Sequence, residues 1–222
     1  MDADTLDHRR TRIKICGLTR EGDVALACEL GADALGFVFY PKSRRCLSPE
    51  RAAQLAKSRD VFVDSVALFV EPSPDLVADV ISVMHPNYLQ FHGDETAKFC
   101  EQFNWPYIKA FRVGAPGLDT PEGVLKTCQQ YSSARGWLFD SFTPAYGGSG
   151  HEFDRDLLAL VSSSGNKPVI LSGGLRTDNV KSLITKVRPQ AVDVSSGVES
   201  EPGVKCPEKM RAFVQAVAGT LR

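Results

Sequence analysis

Eight short β-rich runs, each followed by an amphipathic stretch, succeed one another along the chain, and no other feature restricts the fold as much. The runs are RIKIC, ALGFVF, VALFV, YLQFH, YIKAF, GWLFD, PVILS and AVDVS, rich in the branched and aromatic residues that strands favour. Between and after them lie EGDVALACELG, SPERAAQLAKS, SPDLVADVISVM, DETAKFCEQF, PEGVLKTCQQYS, DRDLLALVSS, TDNVKSLITKV and CPEKMRAFVQAVAGTL, which carry helical periodicity. Ser48 before Pro49, Ser73 before Pro74, Asp94 and Thr177 are helix-start signals. Crossovers of helix length suit parallel strands. Eight such units predict an α/β fold, a single closed (β/α)8 TIM barrel. A doubly wound open sheet is the competing architecture, but no G-x-G-x-x-G turn follows the first run. With 222 residues and no linker rich in Gly, Ser or Pro, residues 1–222 read as one domain, with 1–11 as a flexible leader.

Composition removes several function classes. Lys and Arg number 26 against 27 Asp and Glu, so there is no basic excess for a nucleic-acid partner. No apolar run approaches the roughly 18 residues of a membrane span, and MDADTLDHRR has no apolar core of a secretory signal. The six cysteines (Cys16, Cys28, Cys46, Cys100, Cys128 and Cys206) are scattered, with no C-x-x-C pair and no histidine at zinc spacing. Free thiols in a reducing cytoplasm, and no metal, are the expectation.

Parallel strands covered on both faces usually read as continuous apolar runs. Here several carry polar residues: Lys14 and Cys16, Gln90 and His92, Lys109, Asp140, and Asp193 followed by Ser195. Most fall near the C-terminal ends of their runs, where a barrel builds its active site. Cys16 is the one with latent reactivity. Its thiolate is the active form, and Lys14, two residues back on the same face, is expected to ease its ionisation. A cysteine in purely apolar surroundings would instead be inert filler.

The loops supply further candidates. LSGGLRTDN and DVSSGVES follow the last two strands, the usual phosphate site of a barrel, and glycine with small hydroxyl residues exposes N–H groups to an anion. Tight turns that need glycine for backbone reasons alone are the competing reading. FDSFTPAYGGSG (139–150) is either a loop that closes over a ligand or a plain surface loop. In FYPKSRRCLSPE, solvent exposure is the leading reading of Arg45 and a planar fork offered to a carboxylate the functional one; Arg44 reads as a solvated charge and Cys46 as an incidental thiol. His92 reads as a general base, as a satisfied structural histidine or, between the two, as a hydrogen-bonding residue at the site rim.

Taken in order, KICGLT, GADALGFVFYPKSRR, LQFHGDE, LFD, GGSG, LSGGL and DVSSGVE resemble the phosphoribosylanthranilate isomerases of tryptophan biosynthesis, from about residue 12 to the end of the chain. The resemblance implies an Amadori rearrangement of a small phosphorylated aminosugar, N-(5-phosphoribosyl)anthranilate, without metal or cofactor, in a cytoplasmic monomer or homodimer. It implies Cys16 as general base and Asp140 as general acid. It assigns Arg45 to the anthranilate carboxylate, Gly173, Gly174, Ser195, Ser196 and Gly197 to the phosphate, and His92 and Asp193 to the rest of the pocket. Those roles require Asp140 to hold a proton near neutrality and Cys16 to give one up, which calls for a lowered thiol pKa. Cys46 departs from the family pattern beside Arg45. Two rival readings stand beside this one: another phosphosugar enzyme, including a Schiff-base aldolase resting on Lys14 or Lys109, and a non-catalytic phosphate-binding barrel.

Overall fold

The structure is a computed structural model that describes residues 10–142, 153–165 and 167–220. Strands β1 (Arg12–Cys16), β2 (Ala34–Val38), β3 (Asp64–Phe69), β4 (Tyr88–Phe91), β5 (Tyr107–Val113), β6 (Gly136–Ser141), β7 (Val169–Leu171) and β8 (Ala191–Val194) pair in sequence order. Every pairing is parallel, and β1 closes against β8. Helices α1 (Glu21–Glu29), α2 (Pro49–Lys57), α3 (Pro74–Met84), α4 (Ala97–Glu101), α5 (Pro121–Gln129), α6 (Ala159–Ser164), α7 (Val180–Val187) and α8 (Pro207–Ala218) form the outer layer. All eight predicted runs are therefore strands, and the barrel replaces the open-sheet alternative. A short antiparallel hairpin not anticipated from sequence, β9 (Glu199–Glu201) with β10 (Val204–Lys205), follows β8.

Helix starts are partly as expected. Ser48 and Ser73 accept hydrogen bonds from the N–H groups of Arg51 and Leu76, each with proline in the first turn. Asp94 does not cap α4. Thr96 does, accepting from the Phe99 N–H, while the Asp94 carboxylate is held 3.1 Å from Arg112. Likewise α7 starts after Asn179 rather than Thr177, because the Asn179 side chain closes a local turn by accepting from the Arg176 N–H. Arg10 and Thr11, read from sequence as the end of a flexible leader, are held against the barrel. Residues 1–9 lie outside the described residues, but Arg10 pairs with Asp33 and Thr11 is buried.

Most of the core lies between strands and helices, where outward-facing Ile13, Ile15, Leu35, Phe37, Leu89 and Phe91 pack. Ile108, Ala110, Leu138 and Ile170 form a separate cluster inside the barrel, an apolar floor beneath the polar strand ends. Lys109 corrects the sequence reading: its neighbours Ile108 and Ala110 face inward, so Lys109 faces out. There its Nζ lies 3.1 Å from Glu95 and donates to the carbonyl of Gly93 at 2.5 Å. The Glu95 carboxylate also accepts from the N–H groups of Gly93 and Glu71. The Glu of HGDE is thus a buried bracket between the loops after β3 and β4. Both side chains of the pair are 3 % exposed. Lys109→Met is expected to cost about 3 kcal/mol in urea unfolding, because it strands a buried carboxylate. Adding Glu95→Gln is expected to recover part of that loss, and an unchanged midpoint in the single variant would contradict the bracket.

Candidate active site

A cavity of about 320 Å³ opens at the C-terminal ends of the strands, within the range of small-ligand pockets. It is lined by the ten residues that the family resemblance assigns, Cys16, Arg45, His92, Asp140, Gly173, Gly174, Asp193, Ser195, Ser196 and Gly197. Lys42, Ser43 and Arg44 of the loop after β2 complete its rim, so Arg44, although exposed, belongs to the mouth as well.

Cys16 ends β1 and is 5 % exposed. The β1–β2 register places Gly36 opposite it, and a Cβ built on Gly36 would stand 2.7 Å from Sγ. Glycine inside a strand marks a close approach, and here the group approaching is the thiol. Register also sets Lys14 against Asp193 across β1 and β8, with Nζ and Oδ1 3.0 Å apart and both side chains 5 % exposed. Burial pushes the Cys16 thiol above its ordinary value; Lys14 and Lys205 pull it down and Asp193 pushes it further up. The expectation of a lowered thiol pKa is therefore overturned for this pocket. Lys14 does act in the expected sense, by charge and by hydrogen bond, but desolvation outweighs it.

On the other side of the cavity, Asp140 near the end of β6 has Oδ2 3.1 Å from His92 Nε2, while Oδ1 accepts from the Ser141 N–H at 2.8 Å. Gln90, two residues before His92 on the same strand face, brings its Nε2 to 3.0 Å from His92 Nδ1. With the Gln90 amide nitrogen facing Nδ1, Nε2 is the ring nitrogen left to donate to Asp140. Gln90 Oε1 is buried with no hydrogen-bond partner. Turning that amide over would let it accept from an Nδ1 proton, which frees Nε2 to accept from a protonated Asp140. One relay thus serves both forms of the aspartate.

The two glycine turns need glycine for packing as well. Gly173 has φ +79°, and a Cβ there would stand 2.9 Å from Asp140 Oδ1. A Cβ on Gly197 would collide with the Leu175 carbonyl, so the turns after β7 and β8 lie against each other. Backbone and packing needs therefore account for glycine at Gly173 and Gly197. Arg45 sits half-buried and already holds a carboxylate: its Nε and Nη2 donate to Glu199 at 2.8 and 2.5 Å. Residues 143–152, which include most of the FDSFTPAYGGSG loop, lie outside the described residues.

Sequence reading missed Glu199, Lys205 and the role of Gly36. The Pro202–Gly203 turn between short alternating residues was the available signal for the hairpin that carries the first two. Among the described residues no group of three or more His, Cys, Asp and Glu is placed to hold a metal ion, and no helix is long and apolar enough to cross a membrane. All six cysteines are free.

Residues 13–216 match the family model described as N-(5'phosphoribosyl)anthranilate (PRA) isomerase. The chain is 54% identical over 209 residues to N-(5'-phosphoribosyl)anthranilate isomerase of Bordetella parapertussis, covering 94% of this chain and 96% of that one. It is similar to the crystal structure of phosphoribosyl anthranilate isomerase from Thermotoga maritima, with TM-score 0.84, 39% identity, and 94% and 99% of the two chains covered. It is also similar to a phosphoribosyl anthranilate isomerase crystallised with reduced 1-(o-carboxyphenylamino)-1-deoxyribulose 5-phosphate, with TM-score 0.81, 36% identity, and 94% and 99% covered.

Proposed function

Because this chain belongs to the N-(5'-phosphoribosyl)anthranilate isomerase family, we propose that its barrel mouth performs that isomerisation in tryptophan biosynthesis, with Cys16 as general base and Asp140 as general acid. The observation that carries the reading is the placement of a thiol and a histidine-bound carboxyl group on the wall of one cavity, between two glycine turns and an arginine.

The substrate carries a phosphate at one end and an anthranilate carboxylate at the other. The turns of Gly173, Gly174, Ser195, Ser196 and Gly197 take the phosphate, and Arg45 takes the carboxylate through Nη1, which makes no hydrogen bond among the described residues. These remote anchors hold the sugar between acid and base. Asp140 gives its proton to the furanose ring oxygen as the C1–O bond breaks and the nitrogen lone pair forms the C=N bond of a Schiff base. Cys16, as thiolate, removes the proton from C2. The C–H electron pair becomes the C1=C2 bond, and the C=N pair returns to nitrogen to give an enolamine. Tautomerisation then delivers a proton to C1 and releases the enol proton, leaving a ketone at C2, and the two side chains recover their starting protonation. Lys14 and Asp193 form the charged wall beside Cys16, and His92 orients the acid.

The test follows anthranilate fluorescence with the aminoaldose generated in situ from anthranilate and an activated ribose phosphate. Fluorescence is expected to change with enzyme concentration as the aminoketose forms. Absence of turnover, or a protein–sugar adduct trapped by borohydride, would overturn the reading, the latter in favour of Schiff-base chemistry at Lys14.

A further inference from the structure

Lys205 is the most enclosed charged side chain of this region, 0 % exposed, and the mechanism above does not use it. Its Nζ donates to the Cys16 carbonyl at 2.6 Å, to the Ser195 carbonyl at 3.2 Å and to Glu199 Oε1 at 2.8 Å, with the Ser195 hydroxyl at 3.5 Å. Glu199 in turn holds the Arg45 fork with both oxygens. One ammonium thus touches the backbone of the thiol residue, the turn after β8, and the carboxylate that aims the arginine. The hairpin bearing it is pinned from outside: Thr19 donates to the Gly203 carbonyl, Arg20 to the Lys205 carbonyl, and the Lys205 N–H to Asp23.

Charge count makes the arrangement more than a brace. Around Cys16 the buried or half-buried groups are Lys14 from β1, Arg45 from the loop after β2, Asp193 from β8, Glu199 from β9 and Lys205 from β10. Within this cluster three cations face two carboxylates, while Asp140, the third carboxyl group of the cavity, lies across it on His92, so the wall that holds Cys16 carries one positive charge in excess. Unbalanced charge is costly in a desolvated site. A thiolate at Cys16 closes the account.

We propose that Lys205 is a positioning residue for all three subsites at once, bolting the Cys16 strand end, the Ser195 turn and the Glu199–Arg45 pair together and supplying the counter-charge for the thiolate. This rests on the isomerase reading for its catalytic consequence, but its electrostatic part does not require turnover.

Alkylation of the Cys16 peptide by iodoacetamide against pH, quantified by mass spectrometry in the full chain, reads the thiol directly. Lys205→Met is expected to move the midpoint up by about one pH unit, to lower kcat and to raise KM for the aminoaldose. A merely structural lysine would lower the unfolding midpoint and leave the titration of the folded protein where it was; that outcome overturns the proposal. Should Lys205→Met fail to fold, Glu199→Gln carries the test with the opposite sign, because removing a carboxylate leaves the cations less compensated and shifts the Cys16 midpoint down. An unmoved or raised midpoint there overturns the proposal equally. If wild-type protein shows no isomerase activity yet both shifts appear, the function fails and the role of Lys205 stands.

Discussion

Cys16→Ser is expected to lower kcat by about 10²–10⁴-fold, the usual share of a general base, while product affinity stays within a few-fold. The exchange is nearly isosteric, and the site is shaped for a small group: Gly36 leaves room beside Sγ, and Lys14 and Lys205 stand where they would stabilise an anion. Serine fills that space but does not ionise near neutrality, so position is kept and basicity lost. The wild-type pH profile carries a second signature. Burial holds the thiol above its ordinary value, so at neutral pH only a minor fraction is thiolate. That fraction grows as pH rises, and kcat/KM is expected to climb through the neutral range toward the raised thiol value; in Cys16→Ser this limb disappears. Steady-state fluorescence kinetics from pH 6 upward, with product titration on both proteins, check both points. Full activity of Cys16→Ser, or an identical limb in the variant, would remove Cys16 from the base role.

That these residues meet at all was partly legible in the sequence, for reasons that differ residue by residue. The barrel follows from local patterns, alternating strands and helix-length crossovers, and its closure then fixes where strand ends point. Cys16, His92, Asp140 and Asp193 could be placed because each sits near the C-terminal end of its run on the face that turns inward. The Lys14–Asp193 pair needed the β1–β8 register, which joins residues 179 apart. Lys109 shows where alternation fails: a polar residue suggests the pocket, but its true partner, Glu95, comes from a loop on the outer side. Arg45 can be read from sequence as a carboxylate fork, yet the carboxylate it holds is Glu199, 154 residues away. No spacing rule encodes such a contact. The thiol was misjudged because a nearby lysine is visible in a sequence, whereas the depth of burial that outweighs it is not.

Asp140→Asn is expected to be as damaging as the loss of the thiol, with kcat down by about 10²–10⁴-fold and little change in KM. Asparagine keeps the shape and the backbone contact: its side-chain oxygen can still accept from the Ser141 N–H, as Oδ1 does now. It is also nearly the same size, so the close approach of Gly173 to this side chain is kept. What it lacks is a transferable proton, so the ring oxygen leaves unassisted. His92→Gln separates this loss from one of orientation. Asp140 is then still a carboxyl group able to transfer a proton but loses the Nε2 contact at 3.1 Å and the Gln90 relay behind it, so a smaller drop, about tenfold, is expected. The order of effects follows from the proposed roles, in which the acid touches the substrate and His92 acts through it. Stopped-flow and steady-state fluorescence on both variants measure it. An Asp140→Asn enzyme that turns over like wild type, or a His92→Gln enzyme that loses more activity than Asp140→Asn, would move the acid role from the carboxylate to the imidazole.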